Sequence, residues 1–117
     1  MTSRLRWRDY RTQGGGCPVH DFVESLTDDE AAAVVAAMRE VRDRGLSAAR
    51  HLRGDIYEVR AFAARRGFRI LFSKEAKYIL LSLSAYVKKT AKTPAAEIDL
   101  AVERLADWRR RGRSGIS

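Results

Sequence analysis

Cysteine is almost absent from this sequence of 117 residues, and so are long hydrophobic runs. The single cysteine, Cys17, cannot form an intramolecular disulfide, which favours a reducing compartment. No apolar run approaches the roughly 20 residues that are needed to cross a bilayer, and no signal-peptide core follows Met1. We therefore expect a cytoplasmic protein that does not associate with membranes.

The sequence also lacks the common motifs for metal and nucleotide binding. Gly14-Gly15-Gly16 is not followed by the Gly-Lys-Ser/Thr of a phosphate-binding loop. His20 and His51 are isolated, whereas a zinc ion needs three or four convergent ligands. Neither a CxxC nor an HExxH motif is present. We therefore expect no metal site and no cofactor.

Positive charge is in excess, and it is confined to one stretch of the chain. The net charge is +8, yet residues 1–52 carry eight Lys or Arg against eight Asp or Glu. Residues 53–92 carry ten against three, and residues 93–117 carry five against four. Basic side chains that neutralise phosphates release condensed counterions, which favours polyanionic partners. Residues 53–92 therefore predict a nucleic-acid or nucleoprotein partner, with a merely solvated basic surface as the alternative.

The first half of the chain predicts one strand and two helices. Residues 5–10 alternate between apolar and polar side chains, which is typical of an edge strand. Pro18 suits the first turn of a short helix. Thr27 and Glu30 have the capping-box spacing of a second helix, and Gly45 suits its C-terminal cap. Because the two helices share a short connection, we expect a helical hairpin on one side of a sheet.

The second half predicts three strands, at residues 56–62, 68–72 and 78–87. The connections at residues 64–67 and 73–76 are too short for a parallel crossover, which predicts antiparallel pairing. In the last strand, strict alternation places five apolar side chains on one face: Ile79, Leu81, Leu83, Ala85 and Val87.

A final helix is predicted from Thr93, the expected N-cap, and Pro94, its expected first residue. Its buried face is predicted to consist of Ile98, Ala101, Val102, Leu105 and Trp108. We expect one domain at residues 1–110 and a flexible basic tail at residues 111–117. The fold class is therefore α+β: an antiparallel sheet of about four strands with an N-terminal helical hairpin and a C-terminal helix.

Charged and aromatic side chains gather on the polar face of the predicted sheet and at the end of its last strand. They are Glu58, Arg60, Arg69, Ser84, Tyr86, Lys88, Lys89 and Lys92. Arg60 and Arg69 lie on adjoining strands, so both guanidinium groups can bind one phosphate. The lysines can bind neighbouring phosphates, and Tyr86 can stack on a base.

The same residues can support RNA cleavage, because the 2′-hydroxyl is an internal nucleophile. The protein needs only to orient it, remove its proton and stabilise the charged phosphorane. Arg60, Arg69 and Lys88 are candidate electrostatic stabilisers, whereas Glu58, Tyr86 or a lysine with a lowered pKa are candidate proton carriers. From the residues alone, binding without catalysis is the simpler interpretation, since Glu58 and an arginine can form a structural ion pair.

Four segments occur in an order that is typical of one family. They are residues 11–26, residues 56–60 (Ile-Tyr-Glu-Val-Arg), residues 68–72 (Phe-Arg-Ile-Leu-Phe) and residues 86–98 (Tyr-Val-Lys-Lys-Thr-Ala-Lys-Thr-Pro-Ala-Ala-Glu-Ile). They resemble segments of the phage-derived HigB branch of the RelE/ParE superfamily of toxins. The last segment is the most specific, since it is similar to the signature Phe-Val-Lys-Lys-x-x-Lys-Thr-Pro-x-x-Glu-Ile. The resemblance covers residues 7 to 108.

This resemblance implies the toxin of a type II toxin–antitoxin pair, which inhibits translation by cutting mRNA in the ribosomal A site. The implied partners are the ribosome, mRNA and a HigA-like antitoxin with a helix-turn-helix domain. The positions that the branch favours are Arg60, Arg69, Tyr86, Lys88, Lys89 and Lys92. ParE-like members share the fold but act on DNA gyrase, so a non-catalytic gyrase poison is one alternative. An inactive toxin-like binding module is another.

Ser84 departs from the family pattern, because many members have a histidine at this position. A serine hydroxyl is a poor base at ordinary pH. Another group must therefore remove the proton of the 2′-hydroxyl, or the rate of cleavage is low.

Overall fold

The computed structural model describes residues 4–115, with side chains described through residue 112. Within these residues the chain forms an α+β fold with a five-stranded sheet, which confirms the predicted class. The strands are β1 (Arg6–Asp9), β2 (Arg50–Arg53), β3 (Ile56–Ala63), β4 (Arg66–Glu75) and β5 (Ile79–Val87). The helices are α1 (Pro18–Glu24), α2 (Asp28–Arg44), a short 3-10 helix (Gly45–Ala48) and α3 (Ala95–Gly115).

The sheet has the order β1-β5-β4-β3-β2 and is mixed, which corrects the prediction of about four antiparallel strands. β1 pairs in parallel with β5, whereas the other neighbours are antiparallel. Parallel pairing is possible because the helices and three strands of the connection carry the chain back across the sheet. β2 was not predicted, since its four residues are mostly polar and do not alternate. Gly54 adopts a left-handed φ of 56° in the tight turn that joins β2 to β3.

β5 contains a β-bulge opposite β4. Leu71 pairs with Ser84 and Phe72 pairs with Ser82, so Leu83 has no partner on β4. The extra residue reverses the alternation of side chains along the second half of the strand. The carbonyl oxygen of Leu83 accepts a hydrogen bond of 2.8 Å from Arg104 of α3, which satisfies the irregular backbone at this position.

The bulge makes the predicted apolar face of β5 wrong. Ile79, Leu81 and Leu83 pack against α3, whereas Ala85 and Val87 pack on the opposite face with the N-terminal helices. Tyr86 consequently shares the α3 face with the first group. A regular strand would have turned Tyr86 and Ile79 to opposite faces, so the bulge places the aromatic ring beside α3.

The two N-terminal helices follow one another closely in the chain, but each packs mainly on the sheet and not against the other helix as in the predicted hairpin. α1 packs mainly against β5, and α2 packs mainly against β3. The buried residue of α1 is Val19, and the buried apolar residues of α2 are Val34 and Val41. All three belong to the core beneath the sheet. Burial against the broad apolar sheet therefore dominates over contact between the helices.

Local signals at the ends of α2 are confirmed. The Thr27 hydroxyl accepts a hydrogen bond of 3.2 Å from the Glu30 N–H, and the Glu30 carboxylate accepts one of 3.1 Å from the Thr27 N–H. Gly45 caps the other end with a φ of 78°. β4 is longer than predicted, so its connection to β5 lies at residues 76–78 rather than 73–76.

α3 covers the other face of the sheet. Ala101 and Leu105 are buried there as predicted, whereas Val102, which was also predicted to be buried, is 42% exposed. The helix continues through Gly115, and within it Asp107 accepts hydrogen bonds from Arg110 and Arg111 one turn later. The domain boundary at residue 110 and the flexibility of residues 111–117 stay predictions, and the last two residues lie outside the described part. No helix of the described residues is long and apolar enough to cross a membrane.

Candidate functional site

The register of the sheet brings the predicted arginines and the tyrosine into one row. Arg60 of β3 pairs with Arg69 of β4, which in turn pairs with Tyr86 of β5. The next row contains Glu58, Leu71 and Ser84. Directly paired residues have Cβ atoms about 5 Å apart, so residues from three strands converge on the α3 face. The sequence prediction of a shared polar face is realised by this geometry.

Glu58 is a buried carboxylate that holds three partners. Its Oε1 accepts a hydrogen bond of 2.9 Å from Nε of Arg60, and its Oε2 accepts one of 2.8 Å from the Thr93 hydroxyl. The Nε of Arg69 lies 3.8 Å from the same Oε2. A charge can be buried at tolerable cost only when such partners replace water. Glu58 therefore anchors both arginines and the start of the segment that leads into α3.

Arg69 is almost fully buried, although it is a cation. Its Nη1 donates a hydrogen bond of 3.0 Å to the Phe68 carbonyl, and its guanidinium lies 5.5 Å from the centre of the Phe62 ring. Burial lowers the pKa of Arg69, and the nearby Glu58 carboxylate opposes that shift. An arginine remains charged under such conditions. The site thus holds a fixed positive charge in a poorly solvated position, where electrostatic interactions are strong.

A cavity of about 330 Å³ opens beside this row. Its walls are Arg69, Tyr86, the segment at residues 87–94, and Glu97 of α3. The three predicted lysines, Lys88, Lys89 and Lys92, all belong to that segment. Arg60 and Glu58 do not line the cavity, although they were predicted with the other site residues. The volume falls in the range of small-molecule sites, which suits a nucleotide-sized group.

The cavity wall between β5 and α3 is held by backbone and side-chain contacts. The Lys88 N–H donates a hydrogen bond of 2.8 Å to the Gly67 carbonyl. The Thr90 hydroxyl donates one of 2.9 Å to the Lys92 carbonyl. A Cβ at Gly67 would lie 3.0 Å from the Phe62 ring, so glycine allows this close approach. The lysine segment is therefore fastened to the β3–β4 hairpin at one end and to Glu58 through Thr93 at the other.

The lysines of the cavity are not neutralised by ion pairs with other described residues. Within residues 4–112, no acidic side chain lies within ion-pairing distance of Lys88, Lys89 or Lys92. By contrast, Arg53 pairs with Asp99, and Arg66 pairs with Glu30. Part of the basic stretch is therefore neutralised by contacts within the fold. Three of the basic side chains in this stretch that stay unpaired within the described residues, Lys88, Lys89 and Lys92, lie together at the cavity.

Tyr86 is half-buried and lines the cavity. Burial raises the pKa of Tyr86, a hydrogen bond with Thr93 lowers it, and the Glu58 carboxylate raises it. The phenol consequently carries its proton at neutral pH. It can donate or accept a hydrogen bond in the cavity, and its ring offers a surface for a base.

Ser84 is fully buried, and its hydroxyl has no hydrogen-bond partner among the described residues. It does not line the cavity. The residue that replaces the histidine of many family members therefore offers no proton acceptor to a ligand there.

Two residues at the site were not predicted to belong to it. Thr93 was predicted to cap α3, but the helix begins at Ala95 and the Thr93 hydroxyl donates to Glu58 instead. Glu97 lines the cavity from the first turn of α3. Among the residues that the structure describes, no three His, Cys, Asp or Glu side chains lie together in a way that could hold a metal ion.

The fold and the site define a small basic α+β domain with a cavity that is lined by Arg69 and three lysines. Residues 21–106 match the family described as phage derived protein Gp49-like (DUF891). The chain is also 32% identical, over 108 residues, to the probable endoribonuclease HigB1 of Mycobacterium tuberculosis strain CDC 1551 / Oshkosh. The alignment covers 89% of this chain and 85% of that protein, and the HigB1 of strain H37Rv gives the same values. The chain belongs to the Gp49-like, HigB-like branch of the RelE/ParE superfamily.

Proposed function

We propose that the protein is the toxin of a type II toxin–antitoxin pair and that it inhibits translation by cutting mRNA on the ribosome. Family membership supports this function, as does the likeness to a probable endoribonuclease. The observation that carries the proposal is the cavity in which Arg69, Tyr86 and three unpaired lysines surround a nucleotide-sized space. The alternative, a gyrase poison, is not favoured by these findings.

In this proposal the lysines bind the RNA backbone, and Arg69 supplies the main electrostatic stabilisation. The 2′-hydroxyl gives its proton to the Tyr86 oxygen, whose own proton passes to solvent. The 2′-oxygen attacks the adjacent phosphorus, and the bond from phosphorus to the 5′-oxygen breaks. The phosphorane gains negative charge on the way, so a fixed cation in a poorly solvated position lowers the barrier. Lys88 is half-buried at the cavity and is the candidate to give a proton to the departing 5′-oxygen.

Arg60 and Glu58 have supporting roles in this proposal, because neither lines the cavity. Arg60 shares the Glu58 carboxylate with Arg69 and keeps that carboxylate from neutralising Arg69 completely. The Glu58 side chain determines the position and orientation of the Arg69 guanidinium. The proposed contacts with substrate are thus limited to Arg69, Tyr86 and the lysines.

The HigB likeness implies a cognate antitoxin. We propose that it is a HigA-like protein with a helix-turn-helix domain, and that toxin, ribosome and antitoxin meet in the cytoplasm. The unpaired lysines at the cavity are a natural target for acidic antitoxin side chains, since opposite charges speed and orient association.

The proposal is tested by mapping mRNA ends after the protein is expressed in growing bacteria. We expect new in-frame ends in translated mRNA for the unmodified protein and for Arg42→Ala, which changes an exposed arginine of α2 that pairs with Asp43. Arg69→Ala should reduce these ends about 100-fold, the usual effect of losing an electrostatic stabiliser. Lys88→Ala provides a second variant that leaves the buried ion pair intact.

Growth arrest with intact mRNA would contradict the proposal. Supercoiling inhibition by the purified protein, together with intact mRNA, would instead indicate a gyrase poison. Growth without arrest and without new mRNA ends would indicate an inactive binding module.

A further inference from the structure

Phe62, close to the tip of the β3–β4 hairpin, is the most exposed of the large apolar side chains that the structure describes, at 66%. Isolated apolar side chains are common on protein surfaces and need no function of their own. The surroundings of Phe62 distinguish it, because the guanidinium of Arg69 lies 5.5 Å from the centre of its ring. The ring therefore touches the buried cation of the site, while most of the side chain stays open to solvent.

The register of the sheet places Phe62 on the same face as the site. Phe62 pairs with Gly67 of β4, whose carbonyl accepts the hydrogen bond from the Lys88 N–H. This row lies two residues beyond the row that contains Arg69. Residues two apart in a strand point to the same face and are about 7 Å apart. Phe62 and Lys88 therefore extend the site towards the tip of the hairpin.

Gly67 allows the Phe62 ring to lie close to the cavity. A Cβ at this position would be 3.0 Å from Cε1 of Phe62 and 3.4 Å from Cβ of Lys88. Both side chains thus lie against the backbone of Gly67, in space that a larger residue would occupy. Lys88 lines the cavity, and the Phe62 ring consequently stands at its rim.

The groups around the Phe62 ring are mostly cationic. Arg69 contacts the ring, Lys88 approaches it over Gly67, and Arg60 precedes it by two residues on the same face of β3. The other large apolar side chains that are exposed in the described residues lie on other elements or connections: Val35, Tyr78 and Val102.

This arrangement fits single-stranded RNA better than an apolar protein segment. An apolar segment requires a continuous apolar patch, which an isolated ring among cations does not provide. An unstacked nucleotide carries a planar base and a phosphate together. Aromatic rings bind the first, and neighbouring arginines and lysines bind the second.

We propose that Phe62 is a base-stacking residue, which binds one base of the mRNA codon next to the phosphate that Arg69 holds. This inference rests on the proposed RNA cleavage and adds a substrate contact to it. β4, which carries Arg69, lies between β3 with Phe62 and β5 with Tyr86. An aromatic ring therefore flanks the guanidinium on either side, and each ring can stack on one base. Since every base has an aromatic face, Phe62 contributes affinity without choosing the base.

The aromatic ring is tested with Phe62→Ala, Phe62→Leu and Phe62→Trp. The measurement is single-turnover cleavage of mRNA on purified ribosomes, expressed as the maximal rate divided by the half-saturating protein concentration. This quotient should fall about 10-fold for Phe62→Ala and Phe62→Leu, as expected when one stacked base is lost. It should stay near the parent value for Phe62→Trp. Val35→Ala, which shortens an exposed apolar side chain of α2, is the matched control and should not change it.

The base itself is tested with mRNAs in which one nucleotide of the A-site codon is abasic. Such a nucleotide keeps its 2′-hydroxyl and its phosphate but has no base to stack. The parent protein should cut one of these mRNAs about 10-fold less efficiently because the contact with Phe62 is missing. Phe62→Ala should cut that mRNA and the complete mRNA equally well. Two losses that fail to add in this way show that the base and the ring interact.

Full cleavage by Phe62→Leu would overturn the inference, because an apolar side chain would then suffice without a ring. Additive losses at every abasic position would overturn it too, and would indicate that Phe62 only holds Arg69 in place. Normal cleavage by Phe62→Ala with weaker inhibition by the antitoxin would assign the ring to the antitoxin instead. Thermal unfolding of each variant shows whether the fold is kept. If the parent protein itself does not cut mRNA, the proposed function fails and the inference with it.

Discussion

At the scale of single residues, the site depends on how one buried carboxylate distributes its hydrogen bonds. Glu58 is shared among Arg60, Arg69 and Thr93, and its side chain is inaccessible to solvent. The residue types at this site were predictable from the sequence, because alternation along the strands placed Glu58, Arg60 and Arg69 on one face. The carboxylate's third partner was not predictable. A threonine before a proline matches a helix cap, and only the tertiary fold brings it to Glu58.

Replacing Glu58 by Gln should destabilise the protein strongly. The change leaves Arg69 buried without a counter-charge, which typically costs about 3 to 5 kcal/mol. Urea unfolding measures the loss. Glu40→Gln is the matched control, since Glu40 pairs with Arg44 on the exposed surface of α2 and should lose less than about 0.5 kcal/mol. Equal small losses in both variants would show that Glu58 is not an essential anchor.

At the scale of elements, the sequence predicted features that depend on neighbouring residues in the chain. It missed features that depend on contacts between distant strands and helices. The capping box and the C-terminal glycine of α2 are local, and both are present. The bulge in β5 is not local, because the extra residue Leu83 is satisfied by Arg104 of a distant helix. β2 was missed because a short polar strand forms only against a neighbour. The parallel pairing of β1 likewise depends on the whole connection to β5.

The contact between α2 and the β3–β4 hairpin predicts a loss of stability in acid. Arg66 donates two hydrogen bonds to Glu30, and they lower the pKa of this carboxyl together with the Thr27 N–H. A carboxyl whose pKa is lower in the folded state stabilises the fold above its unfolded pKa. That stabilisation is lost as the pH falls through the folded pKa.

The urea midpoint of the parent protein should therefore decrease from neutral pH to about pH 3. The midpoint of the Glu30→Gln protein should decrease less steeply, because the amide does not titrate. Glu103→Gln, which changes an exposed carboxylate of α3, should keep the slope of the parent protein. A Glu30→Gln slope identical to that of the parent protein would contradict the proposed role of this ion pair.

At the scale of the whole molecule, folding redistributes the positive charge that the sequence concentrates in residues 53–92. Arg53 and Arg66 of this stretch are paired with carboxylates from α3 and α2. The lysines between β5 and α3 have no such partners among the described residues and line the cavity. Charge counting along the chain therefore located the stretch that holds these lysines. It could not distinguish the arginines that form ion pairs within the fold from the lysines that form none, because these ion pairs depend on contacts between elements.

The salt dependence of RNA binding should distinguish the ion-paired arginines from the lysines of the cavity. Each phosphate contact contributes nearly one unit to the slope of log affinity against log salt concentration. Lys89→Ala and Lys92→Ala should each reduce the slope by about 0.7 to 0.9 on single-stranded RNA or the ribosome. Arg53→Ala, from the same basic stretch, should leave the slope unchanged because this arginine is paired with Asp99. A larger effect of Arg53→Ala than of the lysine variants would contradict this assignment.

The central claim is that this cavity cuts mRNA on the ribosome. The most direct test incubates purified protein with purified ribosomes that hold a defined mRNA, and then maps the mRNA ends. We predict cleavage at the codon in the ribosomal A site, little cleavage of the same mRNA without ribosomes, and loss of cleavage in Arg69→Ala and Lys88→Ala. Intact mRNA on the ribosome, or equal cleavage by the Arg69→Ala protein, would contradict the account.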